Sequence, residues 1–156
     1  MSNYDLIKNC RICDSTNLHL ILDLGEQPPA NSLINKSQLD TIEPKFPLRL
    51  FWCGDCFLVQ LLDIVNKEHL FKHYLYMTSA SKPIVDHFKK YALDIFNEFL
   101  NKQENSFVVE IGSNDGSLLK EFKKLGSSIL GIEPASNLAK LANDSDITTL
   151  NNFFSL

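Results

Sequence analysis

The spacing of apolar positions changes twice along this chain. From residue 106 onward, short apolar runs alternate with amphipathic ones. SFVVEIG reads as a strand, SLLKEFKKLG as a helix stopped by Gly126, SSILGIEP as a strand, ASNLAKLAND as a helix and ITTL as the start of a third strand. Strand–helix–strand–helix–strand predicts a parallel sheet with right-handed crossovers. Residues 82 to 102 carry a single stripe of helical period instead: Ile84, Val85, Phe88, Tyr91, Ala92, Ile95, Phe96, Phe99 and Leu100. Asp86, Lys89, Lys90, Asp94, Asn97 and Glu98 fall on the other side, Ser79 or Ser81 is placed to cap, and Pro83 suits a first turn. That stripe needs a partner, and the sheet that follows is the simplest one.

Residues 1 to about 75 keep neither period for long. LHLILDLG reads as a strand running into a turn at Gly25, and EQPPANS as an extended loop, because each proline fixes φ and disfavours helix before it. PLRLFWC and FLVQLLDIV, on either side of Gly54, read as two strands joined by a tight turn. This segment holds all four cysteines and four of the six prolines. There is no internal repeat and no low-complexity tract.

The chain has 156 residues, 44% apolar and 22% charged, which fits one globular domain or two small ones. A net charge of −4 gives no basic field to recruit a polyanion, so no nucleic-acid partner is expected. No apolar run approaches the ~20 residues of a membrane span, so no membrane partner is expected. The polar start, MSNYDLIKNC, lacks the apolar core of a secretory signal, and the expectation is a cytoplasmic protein. In a reducing compartment four cysteines are metal ligands or catalytic thiols more often than disulfides.

Cys10 and Cys13 form one CxxC pair, Cys53 and Cys56 another, 39 residues apart. A CxxC turn sets two sulfurs on one side of a loop, and two such turns supply the four soft ligands of a tetrahedral zinc site. Four thiolates leave no open position, so the metal would be structural. Gly54 would supply a positive φ in the second turn. An iron–sulfur cluster can use the same four cysteines, and a redox CxxC is a further alternative, although that motif usually stands alone at a helix start. Few basic residues lie between the pairs (Lys36, Lys45 and Arg49), which favours a scaffold over a nucleic-acid module. His69 and His73, at i and i+4, could share a helix face but lack a third ligand, and His19 and His87 stand alone.

After the first predicted strand of the parallel sheet comes VVEIGSNDGS. A dinucleotide fingerprint would put glycines at positions 112, 114 and 117, but the chain has Gly112, Asn114 and Ser117. No Lys-Ser or Lys-Thr pair follows, which excludes a phosphate-binding P-loop. What remains is Glu110, Gly112 and Gly116, with Glu133 ending the second strand 21 residues after Gly112. An acid and glycine loop, then an acid able to accept from both ribose hydroxyls, fits S-adenosylmethionine, which has no pyrophosphate to cradle.

The motifs CRIC, LGEQPPANSL, CGDCFLVQL, YLYMTSAS, VVEIGSNDGSLL and GIEP stand in the order seen in zinc-containing class I C-methyltransferases, and from about residue 10 onward the chain resembles that family. The resemblance implies an α/β fold. An N-terminal zinc-binding lobe of short β-strands (1–78) would be followed by a connecting helix (79–104) and the first βαβαβ part of a Rossmann-like methyltransferase domain (105–156). It implies zinc at Cys10, Cys13, Cys53 and Cys56. Glu110, Gly112, Ser113, Asn114 and Gly116 would lie along the methionine part of S-adenosylmethionine, Glu133 at its ribose and Asn152 near its adenine. Tyr76, and after it Tyr74, would face a nucleotide-linked keto-deoxysugar. The family's reaction takes a proton from carbon beside the ketone, and the resulting enolate receives the methyl group.

Class I sheets have seven strands, and the pattern here supplies three. The expectation is therefore an incomplete methyltransferase, inactive alone, whose remaining half could lie on a separate chain, with the first strand at an open sheet edge. The alternative is a non-catalytic zinc-binding interaction module descended from such an enzyme.

Overall fold

The computed structural model describes residues 4–101 and 105–155. Residues 1–3 of the expected zinc lobe, 102–104 of the expected connecting helix and 156 of the expected methyltransferase part lie outside the described residues. The chain folds as two compact units, Met1–Leu70 and Phe71–Leu156.

In the first unit, β1 (Tyr4–Leu6) pairs antiparallel with β5 (Asp63–Val65). β2 (Leu18–Gln27), β3 (Phe46–Cys53) and β4 (Val59–Leu61) make a second antiparallel sheet in that order. Two expectations need correction. The strand LHLILDLG does not turn at Gly25, because β2 runs through it with pairing irregularities between Leu20 and Leu22 and between Asp23 and Glu26. The extra residues are absorbed where Gly25 takes a φ of 68° and the Asp23 carboxylate accepts its N–H. FLVQLLDIV is two strands in two different sheets, broken at Leu62, which turns into the core instead of continuing the ladder. Arg49 on β3 then grips buried Asp63 on β5 with Nε and Nη2, at 2.8 and 2.5 Å, and this bidentate pair fastens one sheet to the other. Among the described residues, the buried apolar side chains of this unit are Cys10, Phe46, Cys53 and Leu62.

The second unit follows a short α1 (Lys67–Phe71). His69 lies on α1 and His73 beyond it, so the two imidazoles do not share a helix face. α2 (Lys82–Ile95) begins at Ser81 with Pro83 in its first turn, but the Ser81 side chain makes no capping bond. Its last turn, Phe96–Leu100, widens to a π-helix. The apolar stripe of α2 packs chiefly on α3 (Ser117–Lys124), not directly on the sheet. No helix among the described residues is long and apolar enough to cross a membrane.

β6 (Phe107–Ile111), β7 (Ser128–Ile132) and β8 (Thr149–Leu150) form a parallel sheet in the order β6-β7-β8, with α3 and α4 (Ser136–Asp144) as the crossovers. This is the predicted strand–helix alternation. β6 occupies an edge, with Phe107, Val109 and Ile111 exposed on one face. On the other face Leu119, Ala142 and Ile147 form a dry core against Val108 and Ile129. Two glycines set how closely the layers approach. A Cβ on Gly116 would lie 2.8 Å from Ile147 Cγ2, and one on Gly131 would lie 2.5 Å from Ser113 Oγ and 2.7 Å from Thr149 Oγ1. Gly131→Ala is therefore expected to destabilise the second unit by about 1–3 kcal/mol. Thermal unfolding of the variant and the parent protein checks this.

Candidate functional site

The four cysteines converge although the knuckles lie far apart in sequence. Their sulfurs all fall within 4.8 Å of one another, with Cys10 and Cys56 at 3.5 Å and Cys13 and Cys53 at 3.6 Å. None is in a disulfide. Tetrahedral zinc with bonds of about 2.3 Å spaces its sulfurs about 3.8 Å apart, so the donor set lies close to that ion's geometry.

Both knuckles use one backbone geometry. Asp14 N–H donates to the Cys10 carbonyl and Cys10 N–H to the Ser15 carbonyl, at 3.0 and 2.8 Å. Phe57 N–H donates to the Cys53 carbonyl and Cys53 N–H to the Leu58 carbonyl, at 3.0 and 2.9 Å. The residue closing each turn is left-handed, Asp14 at φ 59° and Phe57 at φ 63°. Positive φ thus falls on Phe57, not on Gly54 as the sequence suggests. Gly54 is required for space, because its Cβ would lie 2.5 Å from Asn17 Nδ2. The proximity of the sulfurs also perturbs their protonation. Backbone N–H groups of Cys13 and Ile12, helped by the Gln60 side chain, lower the Cys10 thiol to about 6. Cys13 is driven to about 12: although the Ser15 backbone N–H favours its thiolate, the sulfur of Cys56, burial and the other two sulfurs outweigh it. Four sulfurs this close cannot all ionise without a cation between them.

In the second unit the glycine loop follows β6. Gly112, at φ 71°, and Ser113 both donate to the Ile132 carbonyl on β7, at 2.8 and 3.3 Å. Asn114, left-handed at φ 53°, donates its N–H to Glu133 Oε2 at 2.8 Å. Glu133 Oε1 accepts from Ala135 N–H, so this buried carboxylate joins the loops that follow β6 and β7. Gly116 N–H returns to the Ser113 carbonyl and leads into α3. At the carboxyl ends of β6 and β7 a cleft of about 360 Å³ is lined by Phe71, Ile111, Gly112, Ile132, Pro134, Phe153 and Phe154.

The remaining predicted residues are more dispersed. Glu110 opens on a different groove, among Tyr91, Val108, Leu118 and Phe122, where its Oε2 is buried without a partner. Ser113 Oγ, pointed towards Gly131, is likewise unpartnered. Asn152 accepts the Phe153 N–H with its own side chain, while Asn151 reaches across to the carbonyls of Glu133 and Pro134. Tyr74 and Tyr76 lie on an extended strap that side chains hold in place. The Lys72 carbonyl accepts from Ser136, the amide of Asn137 pairs with both Tyr74 N–H and C=O, and Asn114 pairs with Tyr76 C=O and Thr78 N–H. Asp115 Oδ2 accepts from Ser79 N–H at 2.9 Å. Sequence reasoning missed Asn137, Asp115 and Asn151. Ser136 and Asn137 look like ordinary helix-start residues, yet neither side chain caps α4.

Burial first, then the charges of Asp115 and Glu133, raise the Glu110 carboxyl to about 7 against a slight easing by the Leu119 N–H. Below its ordinary value of 4.5 the group is protonated folded or unfolded and costs nothing. The cost grows as pH rises from 4.5 and is complete above about 7. Glu110→Gln is expected to stabilise the second unit by on the order of 1–2 kcal/mol at neutral pH. That gain should shrink as pH falls towards 4.5, read as the difference between denaturation curves of the two proteins across pH.

Comparison with known proteins places this geometry. A methyltransferase-associated family model described as "Putative zinc binding domain" matches residues 10–71, a span that includes both knuckles. A C-methyltransferase of Streptomyces niveus, NovU, is 33% identical over 144 residues, which are 92% of this chain and 34% of that protein. The fold and the cysteine cluster define a zinc-binding lobe followed by part of a Rossmann-like α/β domain. The two matches together support the N-terminal part of a C-methyltransferase. It spans about a third of the length of the curated relative.

Proposed function

We propose that this chain serves the transfer of a methyl group from S-adenosylmethionine to a carbon of a nucleotide-linked keto-deoxysugar. The observation that carries the reading is the cleft at the carboxyl ends of two parallel strands, with Gly112 in its wall, where nucleotide-like ligands sit on such sheets. A Cβ on Gly112 would meet no protein atom within 4 Å, so this backbone faces open space that a ligand can fill. Three phenylalanines in the same wall suit a purine.

In this reading S-adenosylmethionine supplies an electrophilic methyl group, and the chain binds and orients it. Gly112, Ser113, Asn114 and Gly116 take the methionine side, while Glu110, expected there from the sequence, opens on the other groove. Glu133 takes the ribose, each oxygen having one acceptor site left after its backbone bond. Asn152 lies towards the adenine. Tyr76 and Tyr74, fixed through their backbones, take the sugar side. Cys10, Cys13, Cys53 and Cys56 hold one structural zinc, supported by the donor geometry and the family match.

Two measurements test this. Calorimetric titration with S-adenosylmethionine is expected to give saturable binding weaker than about 1 µM. Gly112→Val should abolish it, whereas Gly126→Ala, which strains a left-handed glycine away from the cleft, should not. No saturable binding, or wild-type affinity in Gly112→Val, would overturn the cofactor reading. Elemental analysis is expected to give one zinc per chain, and chelation to unfold the β2-β3-β4 sheet. Retention of that sheet after complete zinc removal would overturn the structural role.

A further inference from the structure

Gln60, at the centre of β4, is 7% exposed and far from any surface role. Its two amide atoms behave differently. Oε1 accepts the backbone N–H of Arg11, inside the first knuckle, at 3.1 Å. Nε2 is buried and makes no well-formed hydrogen bond. Buried amide donors are seldom left unmet in native proteins, so an unmet one asks for an acceptor that strengthens in another state of the molecule. The bond from Arg11, the residue next to Cys10, sets the Gln60 amide against the first knuckle. A thiol sulfur is a weak acceptor, and a metal-bound thiolate is a strong one.

We propose that Gln60 is a positioning residue of the metal centre, with Oε1 fixing the first knuckle through Arg11 and Nε2–H donating to the Cys10 sulfur when it is metal-bound. This rests on the reading of the four cysteines as metal ligands. Three of the cysteines lie in the knuckle loops and Cys53 ends β3, whereas Gln60 stands at the middle of β4. It therefore ties metal occupancy to the register of β4 on β3, where it stands opposite Phe51. An N–H donated to a thiolate also withdraws charge from the sulfur, which slows loss of the metal and attack by oxidants.

The test uses the full chain loaded with zinc or with cobalt(II). Gln60→Glu, which replaces the donor by a carboxylate, and Gln60→Met, which removes both polar atoms, are each expected to weaken zinc about 10-fold in chelator competition. Both should shift the sulfur-to-cobalt charge-transfer band, a signature that loss of packing alone does not move, and both should speed alkylation of Cys10. Wild-type affinity and band in both variants would overturn the proposal while leaving the metal site standing. Failure of the wild-type chain to give a four-thiolate cobalt spectrum would overturn the metal reading itself. Should both variants fail to fold, NMR of the wild-type chain loaded with a spin-active cadmium isotope decides. The expected result is a scalar coupling between cadmium and a Gln60 side-chain amide proton, and its absence would overturn the proposal.

Discussion

Four sulfur atoms within 4.8 Å are the constraint on which the first unit depends. Apart from them its core is slight, since two of the four buried apolar side chains among its described residues, Cys10 and Cys53, are themselves members of the cluster. Strands of three residues, as β1, β4 and β5 are, bring little burial of their own. A segment built this way needs a bond that outweighs chain entropy, and a metal bound by thiolates supplies one. The two knuckles are built as copies of one turn, each closed by a left-handed residue that L side chains adopt reluctantly. That strain, carried by Asp14 and by the bulky Phe57, is tolerable where the cluster over-determines the turn.

The second unit is organised differently, by backbone groups that find side-chain partners. A parallel sheet leaves loops at the carboxyl ends of its strands, and those loops must satisfy their own N–H and C=O groups. Here one carboxylate, Glu133, joins the loop after β6 to the loop after β7. The strap bearing Tyr74 and Tyr76 has no strand beside it, so Ser136, Asn137, Asn114 and Asp115 provide the ladder a strand would have given. Asp115 is only half-buried, and against that partial burial the Ser117 hydroxyl and the Ser79 N–H hold it below the usual carboxylate range. Asn114 therefore does two things at once, its backbone shaping the glycine loop and its amide holding the strap. An asparagine where a dinucleotide fold has glycine is in this chain a connector.

Much of this was legible in the sequence because it rests on local chemistry. The period of apolar residues was enough to give α2, and the alternation beyond residue 106 to give β6, α3, β7, α4 and β8, since each of those segments buries one face or both. The CxxC spacing was enough to propose the sulfur cluster. Where the reading went astray, a distant partner decided. FLVQLLDIV has the composition of one strand, and only the pairing of β4 with β3 and of β5 with β1 breaks it at Leu62. The stripe of α2 signalled burial without naming its partner, which proved to be α3.

By itself, then, the sequence determined the class of the fold, the four metal-type ligands and the glycine loop with its two acids, because residue type and spacing fix turn chemistry and periodicity. Tertiary structure decided what each of those residues touches. It turned Gly54 from a conformational need into a steric one beside Asn17, and it sent Glu110 to a groove apart from the cleft that Gly112 lines. It also gave buried Gln60 a place beside the first knuckle. Those outcomes depend on atoms brought together from residues tens of positions apart, and no local pattern encodes such distances.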